Sequence, residues 1–64
     1  MTLDAINRVK FALTYEPIEG KLLAELVGLS VEECYEALVW LYERDLALIS
    51  RMAKTGAING WIRA

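Results

Sequence analysis

The chain has 64 residues, of which 56% are hydrophobic, with a formal net charge of −2, one cysteine, Cys34, and no histidine. This length allows one small domain, residues 1–64. Its hydrophobic share exceeds the roughly 45–50% of an ordinary domain, so either the core is unusually rich or an apolar patch stays outside for a partner. Without histidine no Ser-His-Asp or Cys-His pair can form. Because the sequence also has no glycine-rich phosphate loop, we expect no enzyme, cofactor, metal or small-molecule substrate.

A first helix is predicted over about residues 2–15. Thr2 can cap it, and apolar residues recur along it at helical spacing, namely Leu3, Ile6, Val9 and Leu13. Glu16 and Pro17 end the helix, because a proline disfavours helical geometry in the residue before it. Ile18 then lies in a short extended link.

The run GKLLAELV predicts a short second helix over about residues 20–27. Gly28 ends it, because glycine readily takes the left-handed conformation that closes a helix. Ser30 and Glu33 have the spacing of a capping box, which predicts a third helix from residue 31.

This third helix is predicted over about residues 31–44. Its inward stripe is Cys34, Leu38 and Leu41, with Val31 and Tyr42 at the edge. We expect Cys34 to have a packing role. Asp45 can reverse the chain, since aspartate tolerates a left-handed turn better than most residues.

A β-hairpin is predicted over about residues 46–63. The segments LALISRM and AINGWIR are short and rich in β-branched and large apolar residues, and AKTG separates them. A two-stranded hairpin is marginal alone, so it must pack on the helices. For Trp61 at its end we expect packing in the core or against the hairpin and not base stacking.

The stretch LLAELVGLSVEECYEALVWLYERDLALI, residues 22–49, resembles the winged helix-turn-helix superfamily, in the form of a small prokaryotic or phage-type regulator-like domain. The resemblance implies an α+β fold with three helices and a C-terminal hairpin, the wing. It also implies the core positions Leu23, Ala24, Leu29, Cys34, Leu38, Leu41 and Leu46.

In winged-helix DNA binders the third helix usually enters the major groove. The matching positions here include no basic residue: Val31, Glu32, Glu33, Tyr35, Glu36 and Val39. Negative charge on this helix opposes contact with a polyanion, which puts ordinary groove reading in doubt. The simplest interpretation of Glu32, Glu36 and Glu43 is a solvated face, and the alternative is a surface that complements a basic partner.

The wing is the better candidate for phosphate contact. Residues 16–45 carry a net charge of −6, whereas residues 46–64 carry +3 from Arg51, Lys54 and Arg63. Neutralising three phosphates implies a salt slope of about −2.7 for a monomer, and a dimer would double it. The alternative interpretation is that Arg51, Lys54 and Arg63 are ordinary solvent-exposed charges of the hairpin.

Trp40 is predicted near the outward face of the third helix, where a solvated helix rarely has tryptophan. One interpretation is a contact surface, because tryptophan and tyrosine are favoured interface residues. The other is that the helix is rotated and Trp40 packs under the first helix or the wing. The candidate protein-contact residues are Tyr35, Val39, Trp40 and Tyr42.

Together these features predict a small winged-helix regulator-like module that acts in transcription or another DNA-linked process. Its third helix is mainly a protein-contact or dimer surface, so the expected partner is a second copy or another protein, and double-stranded DNA is contacted mainly through the wing. The alternative is a conventional sequence-specific DNA-binding transcriptional regulator with this helix in the major groove. A third possibility is an accessory domain with a scaffolding role.

The sequence also bears on location. No apolar run approaches the roughly 18–20 residues that a membrane span needs, and the N-terminus lacks the basic start of a signal peptide. We therefore expect a cytoplasmic protein without membrane contact. Met1 and the tidy start favour a complete small gene product, and the alternative is an excised domain.

Overall fold

The computed structural model describes residues 2–64, which form three α-helices followed by a two-stranded antiparallel hairpin. The elements are α1 (Leu3–Ala12), α2 (Gly20–Val27), α3 (Val31–Glu43), β1 (Ala47–Arg51) and β2 (Ile58–Arg63). This order confirms the predicted α+β fold class and is consistent with a winged-helix topology. Met1, on which the expectation of a complete gene product rests, lies outside the described residues. No helix within residues 2–64 has the length and apolar character needed to cross a membrane.

The first helix is shorter than predicted, because it ends at Ala12 and not near residue 15. Its start is as expected, since the Thr2 hydroxyl accepts a hydrogen bond from the Ala5 N–H at 3.1 Å. Leu13 is already extended, with ψ at 135°. Beyond it the Thr14 hydroxyl accepts the Glu16 N–H at 3.1 Å, a local bond of the kind that competes with helix formation.

The second helix has the predicted bounds and is tied to the first by Arg8. Gly28 ends α2 with φ at 73°, the left-handed conformation that was expected. The Arg8 guanidinium donates to the Val27 carbonyl at 3.3 Å and pairs with Asp4 at 3.0 Å. A cation at the carboxyl end of a helix is favourable, because the last carbonyls carry partial negative charge.

The third helix starts with the predicted cap and ends one residue early. The Ser30 hydroxyl accepts the Glu33 N–H at 3.1 Å and donates to the Glu33 carboxylate at 3.1 Å. Arg44, predicted as the last helical residue, is the C-cap. Asp45 has φ at 59°, so it reverses the chain as predicted.

The core lies between the three helices and the start of β1. Among the predicted core positions, Leu29 is half-buried and those fully inside are Leu23, Ala24, Cys34, Leu38 and Leu41. The prediction for Leu46 is wrong, because it is 40% exposed while Ala47 is buried. The Leu46 N–H closes α3 on the Leu41 carbonyl at 2.9 Å, and strand alternation then turns the side chain of Ala47 inward.

The backbone of β2 is paired on both edges, with β1 on one edge and with the link between α1 and α2 on the other. On one edge β2 pairs with β1, from Ala47 opposite Arg63 to a bulge at residues 50–51. On the other edge Ile18 and Trp61 exchange two backbone hydrogen bonds, at 3.1 and 2.8 Å. The Arg63 N–H also donates to the Thr14 carbonyl at 2.9 Å. The link therefore holds β2 against the helices.

Gly60 makes this pairing possible. Its φ is 144°, and a Cβ built on it would lie 2.7 Å from the backbone nitrogen and oxygen of Ile18. Any side chain would push the link away from β2, because a backbone cannot yield as a flexible side chain can. The pairing of β2 with the link thus depends on a glycine that is far from Ile18 in the sequence.

Candidate protein and nucleic-acid interaction surfaces

Tyr35 and Tyr42 hold the hairpin on α3. They lie two helical turns apart, and both rings meet the ring of Trp61 edge to face, with centroid distances of 6.4 and 6.1 Å. Such pairs contribute about 0.5–1.5 kcal/mol beyond the area that they bury. Trp61 is half-buried and packs against the core, which confirms the packing role expected for it.

Tyr35 also fits against the start of α2. Gly20 is buried there, and a Cβ on it would lie 2.5 Å from a ring carbon of Tyr35. The Cys34 thiol donates to the Gly20 carbonyl at 3.6 Å, and burial raises the pKa of this thiol. Sequence reasoning missed the Gly20 contact, because no local pattern relates residues 20 and 35.

The exposed side of α3 carries a shallow groove of about 590 Å³. Its six lining residues, which we call the α3 face, are Glu32, Tyr35, Glu36, Val39, Trp40 and Glu43. They recur three and four residues apart, so they lie along one side of the helix. Val39 is 47% exposed at its centre, so an apolar strip among carboxylates is open to solvent.

The position of Trp40 agrees in part with each of the two interpretations drawn from the sequence, a contact surface and packing within the domain. It is half-buried and packs against the core, yet it also lines the α3 face. The Arg44 guanidinium lies 3.7 Å from the centre of its ring and donates to the Trp40 carbonyl at 3.0 Å. Arg44 therefore covers one side of the indole and places one positive charge at the edge of the face.

The candidate protein-contact residues divide into two groups. Tyr35, Val39 and Trp40 come together on the α3 face. Tyr42 is not among the residues that line the groove, and its ring lies against Trp61. The glutamates of the face are all exposed, as both interpretations of them require.

The candidate phosphate-binding cations are not brought together. Arg51 lies at the closed end of the hairpin, in the same exposed segment as Lys54, and its guanidinium donates to the Gly56 carbonyl at 3.0 Å. Arg63 pairs with Ala47 at the open end. The two ends are roughly 16 Å apart, since a strand rises about 3.3 Å per residue. Arg63 instead lies 5.4 Å from the ring centre of Tyr15.

We call residues 51–58 the hairpin tip. All of these residues are exposed. The tip joins its two cations to two large apolar side chains, Met52 and Ile58, which are 50% and 58% exposed. Sequence reasoning identified the cations and missed the apolar pair. The alternation of strand residues could have indicated Ile58, but its exposure depends on how the hairpin packs.

Comparison with known protein families, with curated proteins and with solved structures found no match for this chain. The winged-helix resemblance therefore rests on the sequence pattern together with the order of the elements. Within residues 2–64 no three carboxylate or thiol side chains come together in a group that could hold a metal ion. The two features that stand out for interaction are the α3 face and the hairpin tip.

Proposed function

We propose that this protein is a winged-helix regulator-like module acting in transcription or another DNA-linked process, in which the α3 face binds protein and the hairpin tip contacts DNA phosphate. The observation that carries the proposal is the α3 face itself. It joins exposed apolar groups to three carboxylates, Glu32, Glu36 and Glu43, on the side of the helix that faces solvent.

The charge of the α3 face argues against the major groove. A helix in the groove brings its exposed side close to phosphates of both strands, and three carboxylates there would be repelled by the duplex. The apolar strip favours a protein partner, because aromatic and apolar side chains in the middle of a surface supply much of the binding energy of protein interfaces.

The hairpin tip supports a modest contact with DNA. Two cations, Arg51 and Lys54, belong to the same exposed tip, and residues 46–64 contain no acidic residue. Neutralising two phosphates gives a salt slope of about −1.8 per subunit, smaller than the value of about −2.7 expected when Arg63 is included. Two subunits on one duplex would give a slope of about −3.6.

The test is a titration of a duplex by fluorescence anisotropy at about 50 and about 200 mM salt. We expect Arg51→Glu with Lys54→Glu to abolish binding and the double change Glu32→Gln and Glu36→Gln to alter it less than about twofold. Arg63→Glu is the matched control, because it reverses the same charge on the same hairpin at the far end.

The conventional regulator predicts a different pattern. With α3 in the major groove, neutralising Glu32 and Glu36 would strengthen nonspecific binding by removing repulsion, and Val39→Asp would weaken it. If those α3 variants change the affinity while the tip variant does not, the proposed division of roles is wrong.

A further inference from the structure

The α3 face is poorly suited to pairing with another α3 face. A symmetric contact of this kind would bring the carboxylates of Glu32, Glu36 and Glu43 from each copy toward one another. Like charges that face each other across an interface are unfavourable and suppress such pairings. A partner for this face therefore needs positive charge beside exposed apolar groups.

The hairpin tip has that composition. Arg51 and Lys54 supply two positive charges, and Met52 and Ile58 supply exposed apolar side chains within the same eight residues. The Arg51 guanidinium is held at the tip by its bond to the Gly56 carbonyl, which leaves its other N–H groups for a carboxylate. The chain thus carries both an acidic apolar surface and a basic apolar one.

We propose that the α3 face of one copy binds the hairpin tip of a second copy. This inference rests on the proposed role of the α3 face as a protein-contact surface and names its partner. Carboxylates of one copy meet Arg51 and Lys54 of the other, and Val39 and Trp40 contact Met52 and Ile58. Within one copy the hairpin packs on the flank of α3 through Trp61 and leaves Val39 open.

The size of the surfaces sets the expected strength. A stable interface buries about 800 Å² on each partner, close to a fifth of the 4380 Å² that this chain exposes. One tip on one face involves too few residues for that area, so a single contact is weak and association depends on concentration. Because face and tip are different surfaces, the contact either closes reciprocally in a pair or propagates along a chain of copies.

The proposal also links association to DNA binding. Arg51 and Lys54 serve both contacts, so a tip that is bound to a second copy has no free cations for phosphate. Association and DNA contact through one tip therefore exclude each other.

The experiment is sedimentation velocity of the full chain without DNA, from about 10 µM to about 1 mM. We expect the mean sedimentation coefficient to rise with concentration and the association to weaken at least tenfold when salt is raised from about 0.05 to about 0.5 M, because opposite charges are screened. A face-to-face pairing would instead strengthen with salt. A wild-type chain that stays monomeric at 1 mM and low salt overturns the proposal.

Charge reversal identifies the two surfaces. The face variant carries Glu36→Lys with Glu43→Lys, and the tip variant carries Arg51→Glu with Lys54→Glu. Each alone should be monomeric, because its face and tip then have the same sign of charge. An equimolar mixture should associate again, since each face meets a tip of opposite charge on the other variant.

Arg63→Glu is again the matched control and should associate like the wild type. Circular dichroism establishes that each variant is folded, and the salt dependence of the wild type tests the proposal without any variant. A mixture that stays monomeric, or a tip variant that associates like the wild type, overturns this inference alone. The proposed function fails by a different result, a changed DNA affinity of the α3 variants together with an unchanged DNA affinity of the tip variant.

Discussion

The inner and outer sides of α3 differ in burial although their residues alternate along the sequence. On the inner side Cys34, Leu38 and Leu41 are completely buried. On the outer side Val39 is 47% exposed and stands among carboxylates. Adjacent residues such as Leu38 and Val39 therefore differ in what they stabilise, because a helix turns each successive side chain by about 100°. One side holds the domain together and the other is exposed to solvent.

The largest expected effect comes from shortening an inner side chain. Leu38→Ala removes a fully buried side chain and should lower the free energy of unfolding by about 2–5 kcal/mol. The core of so small a domain rarely contributes more than about 3–5 kcal/mol, so much of this variant should be unfolded. The control is the neighbouring Val39→Ala, expected to change stability by less than about 0.5 kcal/mol in urea denaturation. Equal losses for the two variants would contradict the division of the helix.

The second prediction concerns the contact that holds β2 against the link between α1 and α2. Gly60→Ala forces a Cβ against the backbone of Ile18 and places alanine at φ 144°. We expect a loss of about 1–3 kcal/mol, measured by urea denaturation. Gly56→Ala is the matched control, because φ there is 72° but no atom lies within 4 Å of the added Cβ. A larger loss of stability for Gly56→Ala than for Gly60→Ala would contradict the importance of the contact between Gly60 and Ile18.

The cap of α3 affects both sides of the helix at once. Ser30→Ala removes the hydroxyl that accepts the Glu33 N–H and should cost about 1 kcal/mol. Thr2→Ala removes the same kind of bond at the start of α1 and should cost less, because the Ser30 hydroxyl also donates to the Glu33 carboxylate, whereas the Thr2 hydroxyl only accepts the Ala5 N–H. Thermal unfolding followed by circular dichroism compares the two. A larger loss at Thr2 would contradict this ranking.

The smallest effect concerns the ionisation of Cys34 on the inner side. Burial raises the pKa of the thiol in the folded state, so the unfolded chain ionises first, near its usual value of about 8.5. Stability from this group is complete below that pH and falls as pH rises toward the folded pKa. Between pH 8 and 9 the wild type should lose at most about 0.7 kcal/mol relative to Cys34→Ala. Urea midpoints at the two pH values measure it, and identical pH slopes would mean that the native thiol ionises as freely as the unfolded one.

Sequence reasoning succeeded where neighbouring residues decide the structure. The bounds of α2, the cap at Ser30 and the turn at Asp45 all depend on bonds or conformations within a few residues. It was wrong for the end of α1, because the hydroxyl of Thr14 provides a competing local bond. It was also wrong for Leu46, because helical and strand patterns meet there and only the packing decides which side chain turns inward.

The residue types of the candidate surfaces were predicted from the sequence, but the placement of their side chains relative to one another was not. The charges of Glu36, Arg51 and Lys54 and the position of Trp40 near the outer side could be read from residue types and helical spacing. The cation of Arg44 above the Trp40 ring follows from a spacing of four residues, but its placement required side-chain conformations. The separation of Arg63 from the tip required the register of the hairpin.

Residue types and short-range geometry suffice for the order of helices and strands, the caps and the unequal distribution of charge. Long-range packing is needed to explain why Ile18 pairs with Trp61, why Gly20 lies under Tyr35, and why an apolar strip remains open on α3. Those contacts join residues far apart in the chain. They exist because burying the core brings the link, the helices and the hairpin together, and no local pattern encodes that approach.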